Sequence, residues 1–329
     1  MRVLGAADVR KALPMPAAIE AMRHAFKCLA DGHALVPPRI HMNIKRHDGV
    51  SLIMPAYLDD GLTEAMALKV VSLFPGNAAR NLPRIQAAVL VFESHTGRCL
   101  AMLEGAALTA IRTAAACGLA TEYLARPDAR TVAIFGAGVQ ARTQLQAVCC
   151  VRKIKTAYIY DPVPGKAEAM IAELADRRDV CGDLRPAADA TEAIAHADII
   201  CTASTATRPV FENDDLRRGV HINAIGSYQP HVREIPDETI VRARVFVDSR
   251  QACLEETGDL IQPIQAGLID ESHIQAELGE LVLGTKRGRT GRRQITLFKS
   301  VGVAAQDAAA GRAAYVAAMH QDLGAVVPW

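Results

Sequence analysis

The sequence predicts an α/β protein made of a doubly wound parallel sheet and a second domain of α+β type. Three observations carry that expectation. From Thr131 onward, short apolar runs alternate with helical stretches, the pattern of crossover units and a parallel sheet. Before Thr131, extended runs follow one another with hairpin-type breaks, which suits a mostly antiparallel sheet with a helix beside it. The 329 residues, 50% hydrophobic and 22% charged, are too many for one simple core and too apolar for a disordered chain.

Composition narrows the function classes. Lys plus Arg number 37 against 36 Asp plus Glu, so the formal charge is +1. That balance gives no electrostatic reason to expect nucleic acid or an anionic membrane as partner. Aromatic residues are only 4%, so the core must be aliphatic. The eight cysteines include no Cys-x-x-Cys, and most lie in apolar runs, as buried thiols of a reducing compartment do. The N-terminal stretch MRVLGAADVRKALPM mixes charge into every turn and lacks a signal-type apolar core. The longest apolar segment, residues 105–121, carries Arg112 at its middle, which makes it a poor membrane span. The cytoplasm is the expected compartment.

The elements follow in order. Met15-Pro16 opens a helix whose Ile19, Met22, Phe26 and Leu29 recur at helical spacing, and Gly32 closes it. Extended runs are expected at 40–44, 50–55 and 65–74, then a hairpin of AAVLVFE and CLAMLE joined through Gly97. An Ala-rich helix covers 108–125. The second half alternates: strand TVAIFG, helix 138–151, strand TAYIYD, helix 166–177, helix 192–197, then strands ADIICTA, HINAIG and RVFVD. A final helix over 302–323 should pack back on the first domain.

Gly136-Ala137-Gly138-Val139-Gln140-Ala141 follows a strand and opens a helix, matching G-x-G-x-x-G/A with the right context on both sides. The first glycine permits the tight turn, and the second lets backbone approach a pyrophosphate at the helix N-terminus. The closing alanine still allows close helix–strand packing. Asp161 ends the next strand, where an acid binds the ribose hydroxyls. No Arg adjoins it, so NAD is favoured over NADP. The domain from Thr131 therefore reads as a Rossmann-type dinucleotide-binding domain.

Three cations stand out. Lys69 lies inside the apolar run AMALKVV, and the pattern leaves two readings open. It is either an edge-strand lysine in water or a buried ammonium whose pKa drops into an acid/base range. Arg112 is the lone charge between Glu104 and Glu122, so its guanidinium needs an anion, either a core carboxylate or a ligand. Arg39, after Pro37-Pro38, reads by itself as a surface arginine. The ten histidines form no HExxH-like spacing and no Gly-x-Ser-x-Gly elbow appears, so neither a metal site nor a hydrolase is expected.

Taken together, PPRI, ALKVVSLFPGN, LTAIRTAAACGLATEYLA, FGAGVQAR, ADIICTAS, NAIGS, FVDSRQACLEETGDL and ITLFKSVGVAAQD occur in order along nearly the whole chain. In this the protein resembles the ornithine cyclodeaminase/mu-crystallin family. The resemblance implies a Rossmann domain over 121–302. It also implies a substrate-binding and dimerisation domain built from 1–120 with 303–329, which forms the interface of a homodimer. It implies that Arg39 and Arg112 grip a substrate carboxylate, that Lys69 is catalytic and substrate-binding, and that Val301 lies by the substrate. Gly136, Gly138, Val139, Gln140, Asp161, Thr202, Ala224, Gly226 and Ser300 would line the dinucleotide, with Arg112 also counted among its contacts.

Two positions depart from the family pattern. In Leu82-Pro83-Arg84 an arginine replaces a small hydroxyl residue that meets the cofactor. Arg84 is therefore counted with the cofactor residues, and NADP(H) stays as the alternative to NAD(H). In Gly226-Ser227-Tyr228-Gln229-Pro230, Tyr228 stands where the cyclodeaminases carry the Asp that moves protons. The leading expectation is an NAD(P)(H)-dependent oxidoreductase at the Cα–N bond of a small amino or imino acid, of the Δ1-pyrroline-2-carboxylate reductase type. The alternatives are an NAD-using ornithine cyclodeaminase and a mu-crystallin-like ligand-binding protein.

Overall fold

The structure, a computed structural model, describes residues 1–328. The chain forms two compact units, residues 1–112 with 303 onward and residues 113–302. The first begins with β1 (Arg2–Leu4), α1 (Ala6–Ala12), α2 (Met15–Ala30), β2 (Ala34–Leu35), β3 (Ile40–Ile44), β4 (Gly49–Asp59), β5 (Glu64–Leu73), β6 (Ile85–Phe92) and β7 (Cys99–Glu104). Proline in the first turn suits the start of α2, and Ile19, Met22 and Phe26 form its buried stripe. Gly32, at φ +82°, turns the chain out of it. Helix α3 (Gly105–Leu124) contains the division between units, at residue 112 rather than the expected 120. The interior glycine of this Ala-rich helix, Gly118, lies away from that division, so the sequence does not mark it.

The second unit runs β8 (Thr131–Phe135), α4 (Val139–Val151), β9 (Thr156–Tyr160), α5 (Lys166–Leu174), β10 (Asp183–Pro186), α6 (Ala190–Ile194), β11 (Ile199–Thr202), β12 (His221–Ala224), α7 (Asp237–Arg242), β13 (Arg244–Val247), α8 (Arg250–Glu256), α9 (Gly258–Gln265), β14 (Ile274–Glu277), α10 (Leu278–Val282) and β15 (Thr296–Lys299). Its eight strands lie in the order β10-β9-β8-β11-β12-β15-β13-β14, and every pair is parallel. Both faces are covered. Val132 and Ile134 of β8 enter one apolar cluster with Leu145, Val148 and Met170, while Ala133 and Phe135 enter the other with Ile200 and Ile222. That alternation onto two buried faces is what makes the strands read as continuous apolar runs. The strand order reverses between β8 and β11, the place where doubly wound sheets bind ligands beyond the carboxyl ends of their strands.

The chain returns to the first unit as α11 (Ala304–Gln321) and β16 (Ala325–Val326). The sheet there has the order β16-β1-β7-β6-β5-β4-β2, with β3 paired to β4. Its pairs are antiparallel except β1 with β7. Helix α11 packs across β4, β5 and β6 and against α2. Its alanines and Gly311 let it come close: a Cβ on Gly311 would lie 3.1 Å from Val91. That approach places the first turns of α11 against Lys69 in the middle of β5.

Candidate active site

Lys69 is not an edge lysine. Strand β5 pairs with β4 on one side and β6 on the other, and Lys69 faces α11 with 2% of its surface exposed. Its Nζ is 2.5 Å from Asp307 Oδ2. Asp307 Oδ1 accepts Arg112 Nε at 3.0 Å, and Arg112 Nη1 donates to Gln306 Oε1 at 2.9 Å. Arg112 and Asp307 are as buried as the lysine. Of the two partners left open for Arg112, a core carboxylate or a ligand, the structure supplies the carboxylate, Asp307. A lysine and an arginine share one carboxylate, which leaves the buried cluster with an excess of positive charge, and Arg39 adds its field to it.

Burial pushes the Lys69 ammonium down to about 8, helped by Arg112 and Arg39 and opposed by Asp307. Burial alone would raise the Asp307 carboxyl, but Arg112 and Lys69 outweigh it and hold the group below the usual range. The cluster thus contains an ammonium that gives up its proton near neutral pH, held rigidly by an ionised carboxylate. An anionic ligand group would balance the excess charge.

In the second unit the residues expected around a dinucleotide sit at strand ends: Gly136 after β8, Asp161 after β9, Thr202 at the end of β11, Ala224 at the end of β12 and Ser300 after β15. Gly136 has φ +96°, and a Cβ there would lie 2.6 Å from the Ala203 carbonyl, so the turn demands glycine. Gly138 differs. It caps α4 in extended backbone, and a Cβ would meet no atom within 4 Å. No neighbour among the described residues requires glycine at 138, and the amides of the α4 N-terminus beside it are left open to approach. Val139 is 64% exposed on that first turn, with Gln140 beside it. Asp161 braces the turn by accepting the amides of Ala137 at 2.9 Å and Val163 at 3.0 Å. These residues fit a nicotinamide dinucleotide.

Other assigned residues support these strand ends from inside. The Thr202 hydroxyl donates to buried Glu234, which also accepts the amides of Ser204 and Gly226. A Cβ on Gly226 would lie 2.4 Å from the Ser204 carbonyl, so glycine is needed there for packing. The Ser300 hydroxyl donates to Asp248, whose Oδ2 also accepts the Val301 and Gly302 amides. As they stand, the Thr202 and Ser300 hydroxyls are spent on these carboxylates, and the Ala224 side chain is buried. Arg84 is exposed in the first unit, before β6. Tyr228 is 48% exposed in the second, after β12.

Sequence reasoning missed Asp307, Gln306, Glu234 and Asp248. Asp307 carried a readable signal: a lone acid in an alanine run, the same logic that singled out Arg112. Glu234 and Asp248 gave none, because each works by accepting amides from residues distant in the chain. No helix among the described residues is long and apolar enough to cross a membrane.

The chain is similar to known proteins over its full length. It is 39% identical over 328 residues to a Δ1-pyrroline-2-carboxylate reductase of Bacillus cereus, 98% of each chain being covered. Among solved structures, that of Thermococcus litoralis Δ1-pyrroline-2-carboxylate reductase in complex with NADH and L-proline superposes with a TM-score of 0.94. The identity is 43%, covering 99% of this chain and 100% of that one. An archaeal alanine dehydrogenase dimer with bound NAD gives 0.90 at 30% identity, covering 100% and 99%. A model of the ornithine cyclodeaminase/mu-crystallin family matches residues 1–322. The chain belongs to that family.

Proposed function

We propose that this protein is an NAD(H)-dependent reductase of small cyclic imino acids of the Δ1-pyrroline-2-carboxylate type. The observation that carries the reading is the buried Lys69–Asp307–Arg112 cluster: an acid/base lysine fixed beside a guanidinium and short of one negative charge. Reducing a cyclic ketimine adds a hydride to Cα and a proton to nitrogen. NADH, when bound, supplies the hydride. Arg112 and Arg39 hold the substrate carboxylate, which supplies the missing negative charge. Lys69 Nζ gives its proton to the ring nitrogen as the nitrogen becomes an amine, and recovers one from solvent. Asp307 keeps the ammonium in place throughout. On the dinucleotide side, the α4 N-terminus and Gly138 take the pyrophosphate, and Asp161 takes the adenosine ribose, where a 2′-phosphate would meet like charge.

The second reading, ornithine cyclodeamination, needs a base to free the δ-amine, and position 228 offers a phenol in place of a carboxylate. A phenolic hydroxyl both donates and accepts hydrogen bonds, whereas the carboxylate it replaces is an acceptor only. Pure ligand storage needs no buried lysine with a lowered pKa. The first unit also carries the surface of a homodimer: Leu35, Ile40 and Met42 are exposed along β2 and β3, at the margin of its sheet. The test of the function is NADH absorbance with a panel of cyclic imino acids. Loss of absorbance with Δ1-pyrroline-2-carboxylate or a close analogue is expected, and a flat trace across the panel would refute the reading.

A further inference from the structure

Away from the lysine cluster, three side chains of the first unit with metal-binding chemistry converge. His24 and Cys28 lie one turn apart on one face of α2, and Asp60 sits in the turn between β4 and β5. His24 Nε2 is 3.4 Å from Cys28 Sγ and 3.2 Å from Asp60 Oδ2, and the three donor atoms all lie within 4.8 Å of one another. In a tetrahedral zinc site with bonds of about 2.0 to 2.3 Å, adjacent donors stand roughly 3.3 to 3.7 Å apart. The nitrogen–sulfur and nitrogen–oxygen pairs therefore already stand near ligation spacing, with the sulfur and oxygen within 4.8 Å of each other.

We propose that His24, Cys28 and Asp60 bind a zinc-class divalent ion with three protein ligands and one water. The carboxylate is held for the purpose: Asp60 Oδ1 accepts the amides of Leu62 at 3.1 Å and Thr63 at 2.8 Å, leaving Oδ2 to face α2. Cys28 is fully buried, whereas the His24 and Asp60 side chains keep 22% and 12% exposure, enough for an ion to enter and keep a water. Cys28 also lies in the last turn of α2, at the negative end of the helix dipole, with Asp31 and Asp59 adding negative field that Lys27 opposes. A simple His–Asp ion pair tying α2 to the hairpin would explain two of the residues. With the thiol hydrogen-bonded as well, one imidazole nitrogen has to serve both Asp60 Oδ2 and Cys28 Sγ at once. A borderline-soft ion explains all three donors, its binding releasing the thiol proton to solvent. The site lies at the turn of the hairpin, while Lys69 pairs with Met54 roughly 17 Å back along the strands. The ion would clamp α2 to the hairpin without touching the reaction.

The full chain, treated with chelator and titrated with Co2+, tests this. One equivalent should give the intense visible bands of tetrahedral cobalt and a thiolate-to-cobalt charge-transfer band, both abolished by Zn2+. Cys28→Ser should remove the charge-transfer band. His24→Ala and Asp60→Asn should weaken binding at least about tenfold. All three variants should retain NADH-dependent turnover, which reports that they fold. Absence of the thiolate band in the unaltered protein, its persistence in Cys28→Ser, or unchanged affinity in the other two variants would overturn the proposal.

Discussion

At the scale of single residues, the proposed chemistry rests on one ammonium and the carboxylate that holds it. If Lys69 is the proton donor, Lys69→Ala should lower turnover roughly a hundredfold or more while NADH binding, read by fluorescence, is kept. Lys69→Arg should not restore it, since a guanidinium keeps its proton at neutral pH. Near-normal turnover in Lys69→Ala would reduce the lysine to a substrate contact. The pH dependence follows from the same group. Lys69 donates only when protonated, so kcat/KM for imine reduction should fall as pH rises through about 8. Asp307 raises the pKa of Lys69, whereas burial, Arg112 and Arg39 lower it. Asp307→Asn should therefore move that basic limb to lower pH, with a loss of kcat at pH 8 larger than at pH 6.5. An unmoved limb would mean that Asp307 serves the fold alone. Lys69 and Arg112 were legible because each interrupts an apolar stretch. That Lys69 is buried was not, because it depends on β4, β6 and α11 closing around β5.

At the scale of elements, the strand ends were the most legible part of the molecule. TVAIF, TAYIY, IICT and HINA read as strands because apolar and β-branched runs bounded by turn residues have no other stable use in a two-faced sheet. The insertion of β15 between β12 and β13 was not legible, since strand order depends on pairing and leaves no local mark. The short helices α7 to α10 were also missed, being too brief to show a period. Two glycines at these ends differ in what a Cβ would meet. Gly226→Ala pushes a Cβ onto the Ser204 carbonyl and should lower Tm. Gly138→Ala places its Cβ in open space on backbone that any residue adopts, so Tm should be unchanged. It should instead weaken NADH at least about tenfold, about 1.4 kcal/mol, by obstructing the approach to the α4 N-terminus. Unchanged NADH affinity in Gly138→Ala would place the pyrophosphate elsewhere.

At the scale of the whole molecule, the family was legible because its stretches are spread along the entire chain, so both units carry them. The substrate was less so: no ionic anchor for a side chain stands out in the sequence, and Tyr228 marks what is missing rather than what binds. The proposed homodimer predicts a mass near twice 35.2 kDa by light scattering. Ile40→Glu with Met42→Glu, two charges on the exposed face of β3, should shift it towards monomer. An unaltered protein that runs as a monomer would remove the dimer.

Whether the protein reduces imines rather than cyclising ornithine is decided by one paired measurement. The same preparation is given Δ1-pyrroline-2-carboxylate with NADH, and L-ornithine with catalytic NAD, while NADH, proline and ammonia are followed. Imine reduction should proceed at roughly one turnover per second or faster, with one proline formed per NADH consumed, and ornithine should release little ammonia. Stoichiometric proline and ammonia from ornithine at such rates, with NADH idle on the imine, would contradict the assignment of Lys69 and Tyr228 made above.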